Sequence, residues 1–293
     1  MQKFDGQVAV VTGGGSGIGK ALVRQFARVG MKVVLADIDL AAAEQVRATL
    51  ALDGHEAFAI QTDVADANSV ERLAAQAYER YGQVNLLCNN AGVVPAGRHL
   101  PVWEQPLEDW RWSLDVNLMG VIHGMRSFVP RMLAQDTPAH IVNTASVAGF
   151  LSGSGSTAYS AAKHAVVRAS EALYAGLRER GAPIGVTILC PGLVATRIYE
   201  SERNRPERLA PANGAAAETP ELEAIATNLY RNALSAETVA AQTLEAIRAD
   251  RLYQFTTTGF DAAIRERAEA ILARRNPVFP DLVSLSKRDS RAS

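Results

Sequence analysis

The stretch "QVAVVTGGGSGIGKAL", Gln7 to Leu22, decides how the rest of the chain is read. Residues Val8 to Val11 are apolar without a break and mostly β-branched, as a strand covered on both faces requires. The run ends in Thr12 and Gly13, and glycine returns at 15, 17 and 19 before a helix-forming segment begins. A loop that closes a strand and opens a helix lets backbone approach a pyrophosphate and aims free helix N–H groups at it. Turns and tight helix–strand packing also collect glycine, so it is the position between strand and helix that favours a cofactor loop. Thr12, Gly13, Gly15, Ser16, Gly17, Ile18 and Gly19 are the candidate contacts.

Outward from this loop the same rhythm continues. Val/Ile-rich runs at 7–13, 32–37, 56–63, 84–90, 140–146 and 184–191 read as strands, with helical periodicity near 17–29, 40–53, 67–81, 106–134 and 158–180. Asp66 and Asn68 are plausible N-caps of the third helix. Strand and helix in strict turn predict a doubly wound α/β domain with a parallel sheet. After Pro191 the rhythm breaks into a charged, alanine- and proline-containing segment over 193–236. A helix at 237–249, a short strand at 252–258 and a helix at 261–275 complete the expected elements. Neither an internal repeat nor a linker divides the chain, so residues 1–293 are expected to form one catalytic domain, with 259–293 as an extension.

Composition narrows the function. With 48% apolar and 21% charged residues and a net charge of −1, no basic stripe invites nucleic acid and no apolar segment invites a membrane. The N-terminus reads straight into a strand without a leader-like pattern, and a cytoplasmic protein is expected. Cys88 and Cys190 each end an apolar run and read as small buried hydrophobes. Histidines 55, 99, 123, 140 and 164 lack metal-ligand spacing, and no metal site is expected.

Strand ends supply further candidates. Asp37 closes the second strand, where its carboxylate can accept from both ribose hydroxyls of an adenosine and repel a 2′-phosphate; NAD is therefore expected over NADP. Asp63, followed by Val64, closes the third strand and can reach an adenine amino group. The fourth ends in "NNAG", placing Asn90, Ala91 and Gly92 at the carboxyl edge of the sheet, though a turn would use the same residues.

The reactive constellation is "YSAAK", Tyr159 to Lys163. With seven tyrosines and five lysines in the chain, a chance Tyr-x-x-x-Lys arises only ~0.1 times. On a helix the two share a face; a nearby ammonium and a nicotinamidium ring both favour the phenolate, lowering a pKa near ~10 toward a value useful for proton relay, while Lys163 can hold ribose hydroxyls. Ser146 ends the fifth strand, where its hydroxyl can donate to a carbonyl oxygen. Asn117 interrupts an apolar helical stretch; a water bridging it to Lys163 would satisfy its amide.

Taken in order, "TGGGSGIG", "NNAG", Asn117, Ser146, "YSAAK" and "PGLVAT" resemble the short-chain dehydrogenase/reductase family from about residue 5 to 196 and, by topology, to about 258. The resemblance implies a Rossmann-type sheet of about seven strands with helices on both faces, and a tetrad of Asn117, Ser146, Tyr159 and Lys163. It also implies that Pro191, Gly192, Val194 and Thr196 lie at the nicotinamide end, and that the chain assembles as a homotetramer or homodimer through the helices near 106–134 and 158–180. A nucleotide-sensing binding protein would lack part of the tetrad, and a methyltransferase has no use for Tyr159 and Lys163 together. An NADP-dependent carbonyl reductase is the alternative within enzymes. The chain exceeds the common family length, and the added 193–236 segment is expected to be a substrate lid, with Leu193, Tyr199 and the Val93–Pro95 turn as walls. A lid of that size suits a bulky, partly apolar secondary alcohol or ketone, and "ESERNRPER" within it (200–208) reads as a solvated face.

Overall fold

The computed structural model describes residues 1–151, 153, 155–212, 214, 233–277 and 279. The central part of the expected lid and the end of the expected C-terminal extension lie outside the described residues.

Seven strands form one parallel sheet: β1 (Val8–Thr12), β2 (Lys32–Asp37), β3 (Ala57–Gln61), β4 (Leu86–Asn89), β5 (Ala139–Thr144), β6 (Ile184–Cys190) and β7 (Tyr253–Phe255). Their order is β3-β2-β1-β4-β5-β6-β7, so the direction of winding reverses between β1 and β4. Thr12 pairs with Ala36, Val11 with Cys88, and Asn89 with Asn143, which brings the carboxyl ends of these strands to one edge. A crevice opens there because the crossovers on either side depart in opposite directions.

The unbroken apolar runs are explained by burial on both sheet faces. Ala9, Val11, Leu86 and Cys88 pack into one core with helix α1 (Gly17–Arg28), while Val8, Val10 and Leu87 pack into the other with α3 (Ala67–Tyr81). Phe26 and Phe128 anchor the two layers and are fully buried. Each side chain of that size contributes roughly 1.5–3 kcal/mol when removed from water. Asp39 caps α2 (Leu40–Leu52) by accepting from Ala42 N at 3.0 Å, and Asp66 caps α3 by accepting from Asn68 N at 2.9 Å. Asp66, not Asn68, is thus the cap of the third helix.

The helix expected at 106–134 is interrupted. It comprises α4 (Leu107–Leu114), a π-turn (Asp115–Met119) and α5 (Gly120–Gln135). A π-turn widens the hydrogen-bond ladder locally and re-aims the side chain at its centre, here Asn117. Helix α6 (Thr157–Glu179) carries the Tyr159–Lys163 face, and α7 (Ala236–Arg248) and α8 (Asp261–Leu272) lie on either side of β7 in sequence. Among the described residues no helix is long and apolar enough to cross a membrane.

Candidate active site

The glycine loop and α1 form one wall of a cavity of about 480 Å³ at the sheet's carboxyl edge. Gly17 stands at φ +49, a left-handed conformation costly for other residues, and a side chain there would meet Thr196 at 3.2 Å. At Gly19 a Cβ would lie 2.0 Å from the Gly13 carbonyl oxygen, so this glycine allows α1 to close against the loop. Gly13, Ser16, Gly17 and Ile18 line the cavity. The Ser16 hydroxyl makes no cap bond to α1, leaving first-turn N–H groups for an anion.

Thr12, Gly15 and Gly19 stand behind that wall. Thr12 Oγ1 accepts from Asn90 N (2.9 Å) and Ala91 N (3.0 Å), tying β1 to the loop after β4. Gly15 N donates to Asp37 Oδ2 at 2.8 Å, and Asp39 N donates to Asp37 Oδ1 at 3.0 Å. Burial raises the Asp37 carboxyl above the ordinary range, opposed by those two N–H bonds and by the charge of Arg203. Each Asp37 oxygen keeps acceptor capacity toward the cavity it lines, as ribose hydroxyls would need. Asp63, Val64, Asn90, Ala91 and Gly92 continue the same wall. A left-handed glycine cradle, an uncommitted helix N-terminus and a carboxylate beside them fit a dinucleotide.

At the other end Ser146, Tyr159 and Lys163 converge. Ser146 caps a short 3-10 turn after β5, accepting from Ala148 N at 3.1 Å. Its hydroxyl lies 3.4 Å from Pro191 O and hydrogen-bonds the Tyr159 phenol. Lys163 Nζ donates to Thr144 O at 2.7 Å and sits 5.6 Å from the Tyr159 ring centroid. Burial pushes Lys163 down to about 8, with the Cys190 thiol acting against it. Burial also pushes Tyr159 up, only partly offset by the Ser146 bond, and neighbouring Tyr199 adds to the rise. Of the two charges expected to lower Tyr159, the Lys163 ammonium is already engaged by a carbonyl, and desolvation of the phenolate outweighs it.

Asn117 lies behind this group, fully buried. Its Oδ1 accepts from Val93 N (3.0 Å), and Nδ2 donates to Val93 O (2.9 Å) and Ser113 Oγ (3.0 Å). Protein groups thus satisfy the amide, which fixes the backbone of Val93; the expected bridge to Lys163 is not needed to satisfy it. Pro191, Gly192, Val194 and Thr196 line the same cavity as Ser146, Tyr159, Lys163 and the glycine loop.

Beyond Tyr159 the walls turn apolar. Val93, Trp112 and Leu209 form one small cluster and Val147, Leu151 and Phe260 another, all facing the cavity beside Leu193 and Tyr199. Trp112, Leu209 and Phe260 escaped sequence reading, since nothing in their local pattern distinguishes cavity wall from core.

The described start of the segment expected as a lid is tied down more firmly than its composition predicts. It begins with 3-10 turns at Ile198–Asn204 and Glu207–Leu209. Arg205 pairs with Asp109 of α4, with side chains only 5% and 2% exposed. It also reaches Glu202 at 2.8 Å and Leu209 O at 2.8 Å, and stacks 4.4 Å from the Trp112 ring. Val94 N donates to Ser201 Oγ and Ala96 N to Glu202 Oε1. The run 200–208 is therefore a solvated face only in part: Ser201, Glu202 and Arg205 turn inward.

Known proteins resemble this chain over most of its length. The family model for short chain dehydrogenases matches residues 7–207. A 1-deoxy-11-beta-hydroxypentalenate dehydrogenase of Streptomyces exfoliatus is 40% identical over 262 residues, covering 89% of this chain and 86% of its own length. A C alpha-dehydrogenase of Sphingobium sp. is 33% identical over 284 residues, covering 96% and 90%. A solved short-chain dehydrogenase/reductase from Burkholderia phymatum, in complex with NAD, superposes with a TM-score of 0.88 at 44% identity, covering 96% of this chain and 99% of that one. The chain belongs to the short-chain dehydrogenase/reductase family and is an oxidoreductase of the alcohol dehydrogenase/ketone reductase type.

Proposed function

We propose that the protein is an NAD-dependent dehydrogenase that interconverts a bulky, partly apolar secondary alcohol and its ketone. The observation that carries this reading is the convergence of Ser146, Tyr159 and Lys163 on a cavity that also holds Asp37 and the α1 N-terminus. When bound, the nicotinamide dinucleotide supplies the hydride acceptor or donor. Tyr159 donates its proton to the carbonyl oxygen in reduction and takes the hydroxyl proton in oxidation, while Ser146 holds that oxygen. Lys163 binds the nicotinamide ribose and sets the local charge; Asn117 keeps Val93, a cavity wall, in place.

Two features support the substrate class. The apolar clusters around Trp112 and Phe260 offer surface for a carbocyclic or aryl skeleton beside the reacting oxygen. The relatives named for hydroxypentalenate and for a Cα-alcohol position fit the same class. NAD is favoured over NADP because Asp37 faces the place of the adenosine ribose. A single catalytic domain over 1–293, with a lid at 193–236, working in the cytoplasm as a homodimer or homotetramer, completes the proposal.

The test is Tyr159→Phe, assayed by nicotinamide absorbance with a panel of cyclic and aryl secondary alcohols. Loss of a proton relay lowers turnover by about 10²–10⁴-fold, with NADH binding retained. A variant that keeps most of the wild-type turnover refutes the assignment.

A further inference from the structure

Of the arginines that the 193–236 segment places on the cavity, Arg203 is the one whose charge reaches Asp37. Ser201, Glu202 and Arg205 turn toward α4 and the Val93–Ala96 backbone and fix the 3-10 turn from beneath. Arg203, between them in sequence, is exposed. It lines the same cavity as Asp37, Ser16 and Gly17, and its charge reaches the Asp37 carboxylate. Arg203 Nη1 donates to Arg197 O at 2.9 Å and Glu200 O at 2.6 Å, which holds the guanidinium plane in a set orientation. Its other donors have no hydrogen-bond partner among the described residues. The base of the lid stands close by, since Thr196 packs against Gly17. One guanidinium held by two backbone carbonyls therefore lines the same cavity as an uncommitted helix N-terminus.

We propose that Arg203 is a cofactor-binding residue supplied by the lid, pairing with dinucleotide phosphates from the side opposite the α1 N-terminus. The proposal rests on the dinucleotide reading above. A guanidinium matches phosphate geometry and stays charged at every working pH. The lid then covers the cofactor as well as the substrate, and the Arg205–Asp109 pair fixes the turn that presents Arg203. A 2′-phosphate beside Asp37 would meet the same guanidinium, so Arg203 tempers the repulsion that Asp37 imposes on NADP.

The experiment titrates NADH and NADPH by fluorescence into the wild type, Arg203→Ala and Arg203→Lys, at low and high salt, with melting temperatures of the free proteins as a fold check. Arg203→Ala is expected to raise the NADH Kd about tenfold and the NADPH Kd further, and to flatten the salt dependence. Arg203→Lys should fall between, because a point charge survives without the fork. An NADH Kd within twofold of wild type in Arg203→Ala overturns the proposal. Equal weakening with an unchanged salt dependence also overturns it, since that marks a role confined to lid structure. Failure of the wild type to bind either nucleotide would instead refute the functional reading itself.

Discussion

Replacing Asp109 by Asn tests whether a buried ion pair holds the proposed lid against α4. Asp109 and Arg205 are both almost fully withdrawn from water, and Asn keeps the shape of Asp while removing the charge. Leaving one partner of such a pair uncompensated costs about 3–5 kcal/mol. Here Arg205 retains Glu202, Leu209 O and the face of Trp112, and the Glu202 side chain is 31% exposed, so part of the compensation survives. A loss of about 2–3 kcal/mol follows, and thermal unfolding of a chain this size should shift by about 3–5 °C. The double variant Asp109→Leu with Arg205→Met supplies the decisive arm. It removes both charges of the pair and leaves only Glu202, already 31% exposed, and the Leu209 carbonyl to find water, so it should lose less than the sum of the two single variants. Calorimetry or circular dichroism reads both values. If Asp109→Asn melts within 1 °C of wild type, or the double variant loses the sum of the single losses, the latch is not an ion pair that stabilises the lid.

Two titrations follow from burial. Lys163 has its folded pKa lowered to about 8 from 10.5. The unfolded chain therefore binds more protons between those values, and Lys163 makes stability rise with pH across that window. Lys163→Met should make the cofactor-free protein more stable at neutral pH by about 2 kcal/mol, allowing for the unpaired Thr144 carbonyl, with the gain shrinking toward pH 10.5. A melting difference that does not change between pH 7 and 10 would sink this account. His140, buried at the opposite edge of the sheet, is pushed down to about 3 by burial, with Asp250 alone opposing. Its contribution is present above the ordinary pKa of 6.5 and is lost as pH falls toward 3. His140→Gln should therefore flatten the loss of melting temperature between pH 7 and pH 4; parallel curves for the two proteins would argue against it.

What could be read along the chain was whatever depends on neighbours in sequence. Unbroken Val/Ile runs reveal strands covered on both faces because each face is filled independently. Tyr159 and Lys163 were legible because four residues span one helical turn. Arg205 was not, since its partner stands 96 positions away and a charge run looks the same whether half of it turns inward or none. Asn117 illustrates a middle case. A polar residue in an apolar helix pointed to a special role, but the π-turn that re-aims it and the Val93 backbone that satisfies it exist only in the fold.

The direction of the Tyr159 shift bears on how such a site works. Lys163 was expected to loosen the phenolic proton, yet its ammonium is drawn to Thr144 O and burial favours the neutral form of both groups. Desolvation acts on both terms of this balance. The low dielectric that raises the tyrosine also magnifies the field of any further charge placed beside it. A cationic ring bound against Pro191–Gly192 would thus lower Tyr159 far more than the same charge could in water, while a neutral ring would leave the proton held. Tyr159 is in that case a proton carrier whose affinity follows the charge of its neighbour: tight when it must stay loaded for a ketone, loose when it must accept from an alcohol. Lys163 contributes less as the source of the shift than as a fixed positive background, and its own depressed value of about 8 limits how far into alkaline pH that background extends.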